Sequence, residues 1–210
     1  MGKIKPEDIT IEKIEKGEFS IILPEFYELK KVIEDDGFWH SRDSVFNHTI
    51  GVLKGLGSFL KGANRKILNY LSQEITDHSR KDLLFLAALF HDIAKDETII
   101  KKDGKTSCPG HEEKGYQKVK SILDRIDLSE KEKNFVSQII KNHGVLHIMV
   151  YPGNNNLEEE YRVFRSDFSE IFLEIIIFSL IDNLGNQLQK NYPDEFDFRI
   201  NFYQKALADY

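Results

Sequence analysis

The chain has 210 residues, 40% of them hydrophobic and 30% charged, enough apolar material for one sizeable domain under a polar surface. Lys and Arg number 29 against 35 Asp and Glu, a net charge of −6, which argues against binding duplex nucleic acid by bulk charge but leaves room for a small anionic substrate or an RNA end. The single cysteine, Cys108, excludes an intrachain disulfide, and together with an N-terminus lacking a signal-like apolar core it points to a cytoplasmic setting.

Strand signals are nearly absent and helical periodicity dominates, so the pattern predicts an all-α, single-domain helical bundle. A short helix is expected over 6–16, with Pro6 in a first-turn position that tolerates proline. Leu23-Pro24-Glu25 opens a second segment. Apolar spacing predicts helices over 45–60, 64–73 and 81–95, the last strongly buried. Asp103-Gly104 and Cys108-Pro109-Gly110 mark 97–110 as a loop. Helices follow over 111–126 and from the Ser129/Glu132 capping box to Gly144, then a turn-rich loop over 151–156. A last long helix is expected over 167–190. Its apolar run, 171–181, is interrupted by Glu174 and is too short to cross a bilayer, so a buried helix is the reading and no membrane contact is expected. Gly51, Gly55 and Gly57 lie in a helical pattern with no preceding strand, which suits close helix packing rather than a dinucleotide loop.

The chemistry concentrates in six residues. Eight apolar residues, 83–90, run directly into His91-Asp92, and a buried imidazole beside a buried carboxylate is costly unless something satisfies both. His48 stands three residues after Val45 and four before Val52, and His143 four after Ile139 and seven after Val136. Asp182 stands four after Phe178 and seven after Ile175. These spacings put each polar group on an apolar helix face. His111 follows Gly110, and Gly115 one turn later permits a close backbone approach. Any one of these side chains has an ordinary explanation as a hydrogen-bonded core residue. Several helices each presenting an inward His or Asp point to metal. Mixed imidazole and carboxylate donors suit Mn, Fe, Co, Ni or Zn, and Mg less well. His48, His91, Asp92 and Asp182 would hold one ion. His111 and His143 would serve a second, with Asp92 as the bridge, giving a clamp on phosphoryl oxygens.

In this order, His48, His91-Asp92, His111, His143 and Asp182, the set resembles the HD-domain superfamily of metal-dependent phosphohydrolases. With Trp39-His40, Val45-Phe46-Asn47-His48-Thr49, Ala87 through Lys95, Gly110-His111-Glu112 and Asn142 through His147, it is similar to the HD domain of bacterial CCA-adding tRNA nucleotidyltransferases. The likeness covers roughly 23–189. Those enzymes carry a nucleotidyltransferase head needing a Gly-Ser followed by an Asp-x-Asp pair. Gly57-Ser58 is present, but no such pair follows, so nucleotide addition is not supported.

The resemblance implies an HD unit over 23–190, with a helical extension over 1–22 and a C-terminal segment over 191–210 packed on it. It implies hydrolysis of a phosphomonoester, a 2′,3′-cyclic phosphate or a nucleotide by a metal-activated water. Asp92 would ligate and orient, and His147 would donate a proton or touch phosphate. Lys95 would bind a phosphate oxygen or act as a helix C-terminal cation. His40, Arg42 and Asn186 would line the substrate pocket, with Asn183 as a further flank of Asp182. The same ligands would also suit a di-iron oxygenase, and a nucleotide-sensing module without catalysis is the third reading. Cys108 is not expected to be a catalytic thiol.

Overall fold

The computed structural model describes residues 2–210, so Met1 of the N-terminal extension lies outside it. The elements in chain order are α1 (Ile11–Glu15), α2 (Pro24–Glu28), β1 (Ile33–Asp35), β2 (Ser41–Ser44), α3 (Val45–Gly62), α4 (Arg65–Leu71), α5 (Arg80–Phe90), α6 (Lys95–Thr98), β3 (Ile100–Lys102), β4 (Lys105–Ser107), α7 (His111–Leu123), α8 (Glu130–Asn142), α9 (Val145–Met149), α10 (Leu157–Asp167), α11 (Phe172–Gly185), α12 (Leu188–Asn191) and α13 (Pro193–Ala208). The fold is all-α, with two antiparallel two-stranded hairpins, β1–β2 and β3–β4, as its sheet content among the described residues. None of its described helices is long and apolar enough to cross a membrane.

Helix starts follow side-chain capping. Ser44, Asn64, Ser79 and Ser129 each accept from a backbone N–H three residues on, satisfying donors that a helix leaves free. The Ser129/Glu132 capping box is complete. Buried Glu132 also accepts from the backbone N–H groups of Asp77 and His78 at 2.8 and 2.7 Å, so one carboxylate caps α8 and pins the turn ahead of α5. Burial alone would raise its pKa. The N–H donors of Ser129, Asp77 and His78 outweigh that and hold it down at about 2. Glu132→Ala is expected to cost about 1–3 kcal/mol through the donors it orphans, read by urea denaturation at pH 7. Because the folded pKa is depressed, this support is full above the ordinary glutamate value of 4.5 and fades as pH falls toward about 2. Equal urea midpoints for the two proteins at pH 7 would refute this role.

Several expected boundaries move. The helix expected over 6–16 divides into a 3-10 turn, Pro6–Asp8, and α1, because extended Thr10 accepts from Lys13 N and restarts the helix. The helix expected to reach residue 95 stops at Phe90, and Lys95 opens α6. Lys95 therefore sits at a helix start, where the dipole disfavours a cation, which removes the C-terminal-cation reading. The expected loop over 97–110 contains the β3–β4 hairpin, whose turn residues Asp103 and Gly104 both have positive φ, 52° and 80°, as a two-residue primed turn demands. The single helix expected over 167–190 is two pieces, α11 and α12, and starts later than expected. α10 ends at Asp167, α11 spans the buried run, and α12 follows the extended residue Asn186. Glu158-Glu159-Glu160 form the first turn of α10, where acidic side chains favour the dipole.

α11 is the central rod. Every residue from Leu173 to Asn183 is buried, and α3, α5, α8 and α13 pack against it. α3 crosses it backbone to backbone. A Cβ on Gly185 would lie 3.1 Å from Val52 N, and one on Gly51 3.4 Å from Gly185 O. That approach, tight at Gly185, brings His48 and Asp182 together, each three residues before one of these glycines. Gly115 packs α7 against Ile140 and the His91 carbonyl, where a built Cβ would make ordinary contacts at 3.4 and 3.6 Å. Gly57 faces open space, so helix packing does not account for it.

Candidate metal centre

Five helices, each at or beside one of its ends, deliver the six residues to one point. His48 comes from the first turn of α3 and Asp182 from the last turn of α11. His91 and Asp92 lie just past α5, His111 opens α7, and His143 closes α8. Five of the six are buried, and His111 is partly so.

The rings are aimed by their outer nitrogens. The Nδ1 atoms of His91, His111 and His143 lie 2.9, 2.8 and 2.6 Å from the carbonyls of Ala88, Cys108 and Ile140. His48 Nδ1 lies 3.4 Å from Gly185 O. A carbonyl can only accept, so Nδ1 carries the proton and the Nε2 lone pair points inward. This is the outer support that metal-binding imidazoles need.

Two triads result. Donor atoms of His48, His91 and Asp92 lie within 4.8 Å of one another, and so do those of Asp92, His111 and His143. Asp92 belongs to both. Its Oδ2 is 3.0 Å from His91 Nε2 and its Oδ1 is 3.4 Å from His111 Nε2. Asp182 joins the first triad through Oδ1, 3.0 Å from His48 Nε2 and 3.9 Å from His91 Nε2. The set fits divalent metal on two observations. His111 Nε2 and His143 Nε2 face each other at 3.3 Å, an arrangement of two acceptors that a shared cation would resolve. His91 Nε2, both Asp92 oxygens and Asp182 Oδ1 are buried without a well-aligned hydrogen-bond partner, a costly state for a closed polar cluster.

Charge follows the same pattern. Burial and the neighbouring His111 and His91 hold His143 well below the usual histidine value, keeping its lone pair free. Burial also opposes ionisation of Asp92, but the His91 imidazole and the Lys95 ammonium beside it hold its carboxyl well below the usual range. Asp182 is treated alike: the imidazoles of His147 and His48 against it overcome burial and keep it low.

These groups floor a cavity of about 380 Å³, the size of a small-molecule site. His147, on α9, lines it and places Nε2 3.0 Å from Asp182 Oδ2. His40 lines it too, buried, with its ring edge-on to His48 at 4.9 Å. Burial, then Lys95 and His48 beside it, push its pKa down to about 3. Lys95 is in the wall but not free. Its Nζ sits 2.9 Å from Asp92 Oδ2 and 2.8 Å from Glu34 Oε2.

Two expected pocket residues are elsewhere. Arg42 turns outward, its side chain 86% exposed and paired with Asp35 at 3.3 Å, and it does not line the cavity. Asn186 caps the end of α11, accepts from Leu188 N at 2.8 Å and does not line the cavity. Asn183 is fully buried, and its amide donates to Ser179 O, so it supports the wall rather than facing a substrate. Cys108 lines the wall as a neutral thiol, burial and the Glu34 charge raising its pKa to about 12.

Sequence reasoning missed Glu34 and Arg199. Glu34 gave no signal, since β1 buries it and exposes Ile33. Arg199 did give one: it shares the buried stripe of α13 with Phe196, Tyr203 and Leu207. It donates to the His147 carbonyl at 2.9 Å and lies over the Trp39 ring at 4.8 Å.

No curated protein matches the chain. The HD domain family does, over residues 45–187, well over half the chain and a span that contains all six clustered His and Asp residues. With that match over this constellation of side chains, the chain belongs to the HD-domain family.

Proposed function

We propose that the protein is a metal-dependent phosphohydrolase acting on a small phosphorylated molecule: a phosphomonoester, a 2′,3′-cyclic phosphate or a nucleotide. The observation that carries this is the pair of His/Asp triads sharing Asp92 at the floor of a small cavity. The HD unit is taken over 23–190, with 1–22 and 191–210 packed on it. The metal ligands are His48, His91, Asp92, His111, His143 and Asp182. Mn, Fe, Co, Ni or Zn match these donors. When bound, such ions acidify a water and draw charge from a phosphoryl oxygen.

The chain's own residues supply the rest. Asp92 holds the two triads in register and orients the attacking water. His147, within reach of Asp182 and open to the cavity, holds the proton for the leaving oxygen. His40, neutral at physiological pH, lies against the phosphate path as a hydrogen-bonding wall. Lys95 adds positive charge beside the reacting phosphate while remaining ion-paired. Arg42 and Asn186 have no part in this reading.

The test is elemental analysis of the purified protein and of the His91→Ala/Asp92→Ala variant, with assays under added Mn, Co, Ni or Mg. The substrates are a phosphomonoester and a 2′,3′-cyclic nucleotide. Metal-dependent hydrolysis by the unmodified chain and its loss in the variant are expected. Stoichiometric metal without hydrolysis of either substrate would turn the reading to an oxygenase or a sensor. No metal uptake and no activity with any ion would sink it.

A further inference from the structure

Asp92 must serve both triads at once, Oδ1 toward His111 and Oδ2 toward His91. The terminal torsion of an aspartate is soft, so a small rotation of the carboxylate would take both oxygens off their targets. Lys95 Nζ, 2.9 Å from Oδ2, is placed to pin that rotation. A lysine is a weak pin by itself, being a compact, strongly hydrated charge on a flexible stem. Lys95 is also 94% buried, and cations in the triads would claim the charge of Asp92. The ammonium would then be left buried among positive charges with no partner, a costly arrangement.

Glu34 answers both problems. Its Oε2 is 2.8 Å from Lys95 Nζ and the residue is 5% exposed. Its other oxygen is 3.6 Å from Cys108 Sγ, and His40 Nε2 is 3.6 Å from Oε2. The β1–β2 hairpin that carries it is tied to β4 by the hydrogen bond from Asp35 N to Thr106 Oγ1 at 2.6 Å. Glu34 precedes the matched family span, so this support comes from a segment that the family match does not cover.

We infer that Glu34 is a positioning residue of the metal centre: it holds Lys95, and Lys95 holds Asp92 across the two triads. The inference rests on the metal centre of the proposed function, though not on which bond is hydrolysed. It is tested by titrating Co²⁺ and Mn²⁺ into metal-stripped full-length protein, with affinity and the visible absorption of the Co²⁺ form as readouts. The proteins are the unmodified chain, Glu34→Gln, Lys95→Met and the double variant. Gln keeps the size of Glu34 and removes its charge.

Glu34→Gln is expected to weaken metal binding by about 10–100-fold, the usual effect of losing an outer partner, and to change the Co²⁺ spectrum. In the Lys95→Met background the same substitution should add little, because the link it breaks is already gone. An equal loss in both backgrounds would mean that Glu34 acts through its field or through the fold, and would overturn the inference. So would no loss in either. Melting curves of the stripped proteins confirm folding, and Lys95→Gln replaces Lys95→Met if the latter does not fold. Hydrolysis enters neither readout. Coupled metal binding without phosphoester cleavage would remove the proposed function and leave this inference standing. A chain that takes up no metal would remove both.

Discussion

Asp92→Asn is expected to empty both halves of the metal centre, whereas His48→Asn and His143→Asn are each expected to empty one. The reason is the sharing of Asp92 between the triads. His48 reaches only the side with His91 and Asp182, at 3.0 Å from Asp182. His143 reaches only the side with His111, at 3.3 Å. Asn keeps the shape of Asp92 but removes the negative charge and replaces one acceptor with a donor, which would point at an imidazole lone pair or at a cation. The expected loss of affinity exceeds about 100-fold, more than the removal of an outer partner costs. Stoichiometry is the decisive readout, by elemental analysis after dialysis against limiting Mn or Co. Falling metal content in the order unmodified chain, either histidine variant, Asp92→Asn is the expected result. Full metal content in Asp92→Asn would show that Asp92 bridges nothing. Loading with metal should also stabilise the unmodified chain, by about 2.7 kcal/mol at a hundred times the dissociation constant, and that gain should be absent from Asp92→Asn.

Of the six clustered residues, His48, His143 and Asp182 were legible because each breaks a helical apolar stripe. His143 sits on the face of Val136 and Ile139, and Asp182 on that of Ile175 and Phe178, all four of them fully buried. A periodic face has to point somewhere, and in an all-α fold it points at the common core. Element ends were less legible, for local reasons. His91 and Asp92 read as helical because apolar residues lead into them, yet the turns after Phe90 close by tighter bonds, Ile93 N to Phe90 O and Lys95 N to Asp92 O, which release the pair from the helix and aim it inward. The two hairpins were harder still. β1 and β2 are three and four residues long, too short for an alternating pattern to stand out. Asp103-Gly104 was a hairpin signal, but exposed Ile100, Lys101 and Lys102 gave no buried face to support a strand. The cavity wall comes largely from those hairpins and from α13. Hence the six clustered residues could be read from sequence, and Glu34 and Arg199 could not be assigned their places.

Arg80→Ala is expected to destabilise the fold by about 3–5 kcal/mol, the cost of leaving a buried carboxylate uncompensated. Glu174 interrupts the longest apolar run, and its side chain is completely buried. Arg80 Nη1 lies 2.7 Å from Glu174 Oε1 and donates also to Glu170 O at 3.1 Å, while Tyr70 OH donates to Glu174 Oε2 at 3.1 Å. Burial outweighs the Arg80 charge and keeps the Glu174 pKa above the ordinary value, so the pair barely compensates its own desolvation even when intact. Replacing both partners by apolar side chains, Arg80→Met with Glu174→Leu, should therefore recover most of the loss, since such swaps are often neutral or stabilising. Urea denaturation at pH 7 measures both proteins, and a single variant within about 1 kcal/mol of the unmodified chain would sink the account. The position of this pair explains its presence better than its energy does. Arg80 starts α5 and Glu174 lies in the first turn of α11, while His91, just past the end of α5, and Asp182, near the end of α11, meet at 3.9 Å. The two helices thus run in the same sense, pinned at one end by an ion pair and at the other by the candidate metal ligands. Slippage of α11 by one residue would break the Arg80 contact and rotate Asp182 by about 100°, away from His48. On this geometry, Arg80→Ala should weaken metal binding as well as the fold, and the Met/Leu pair should restore stability more fully than it restores metal affinity.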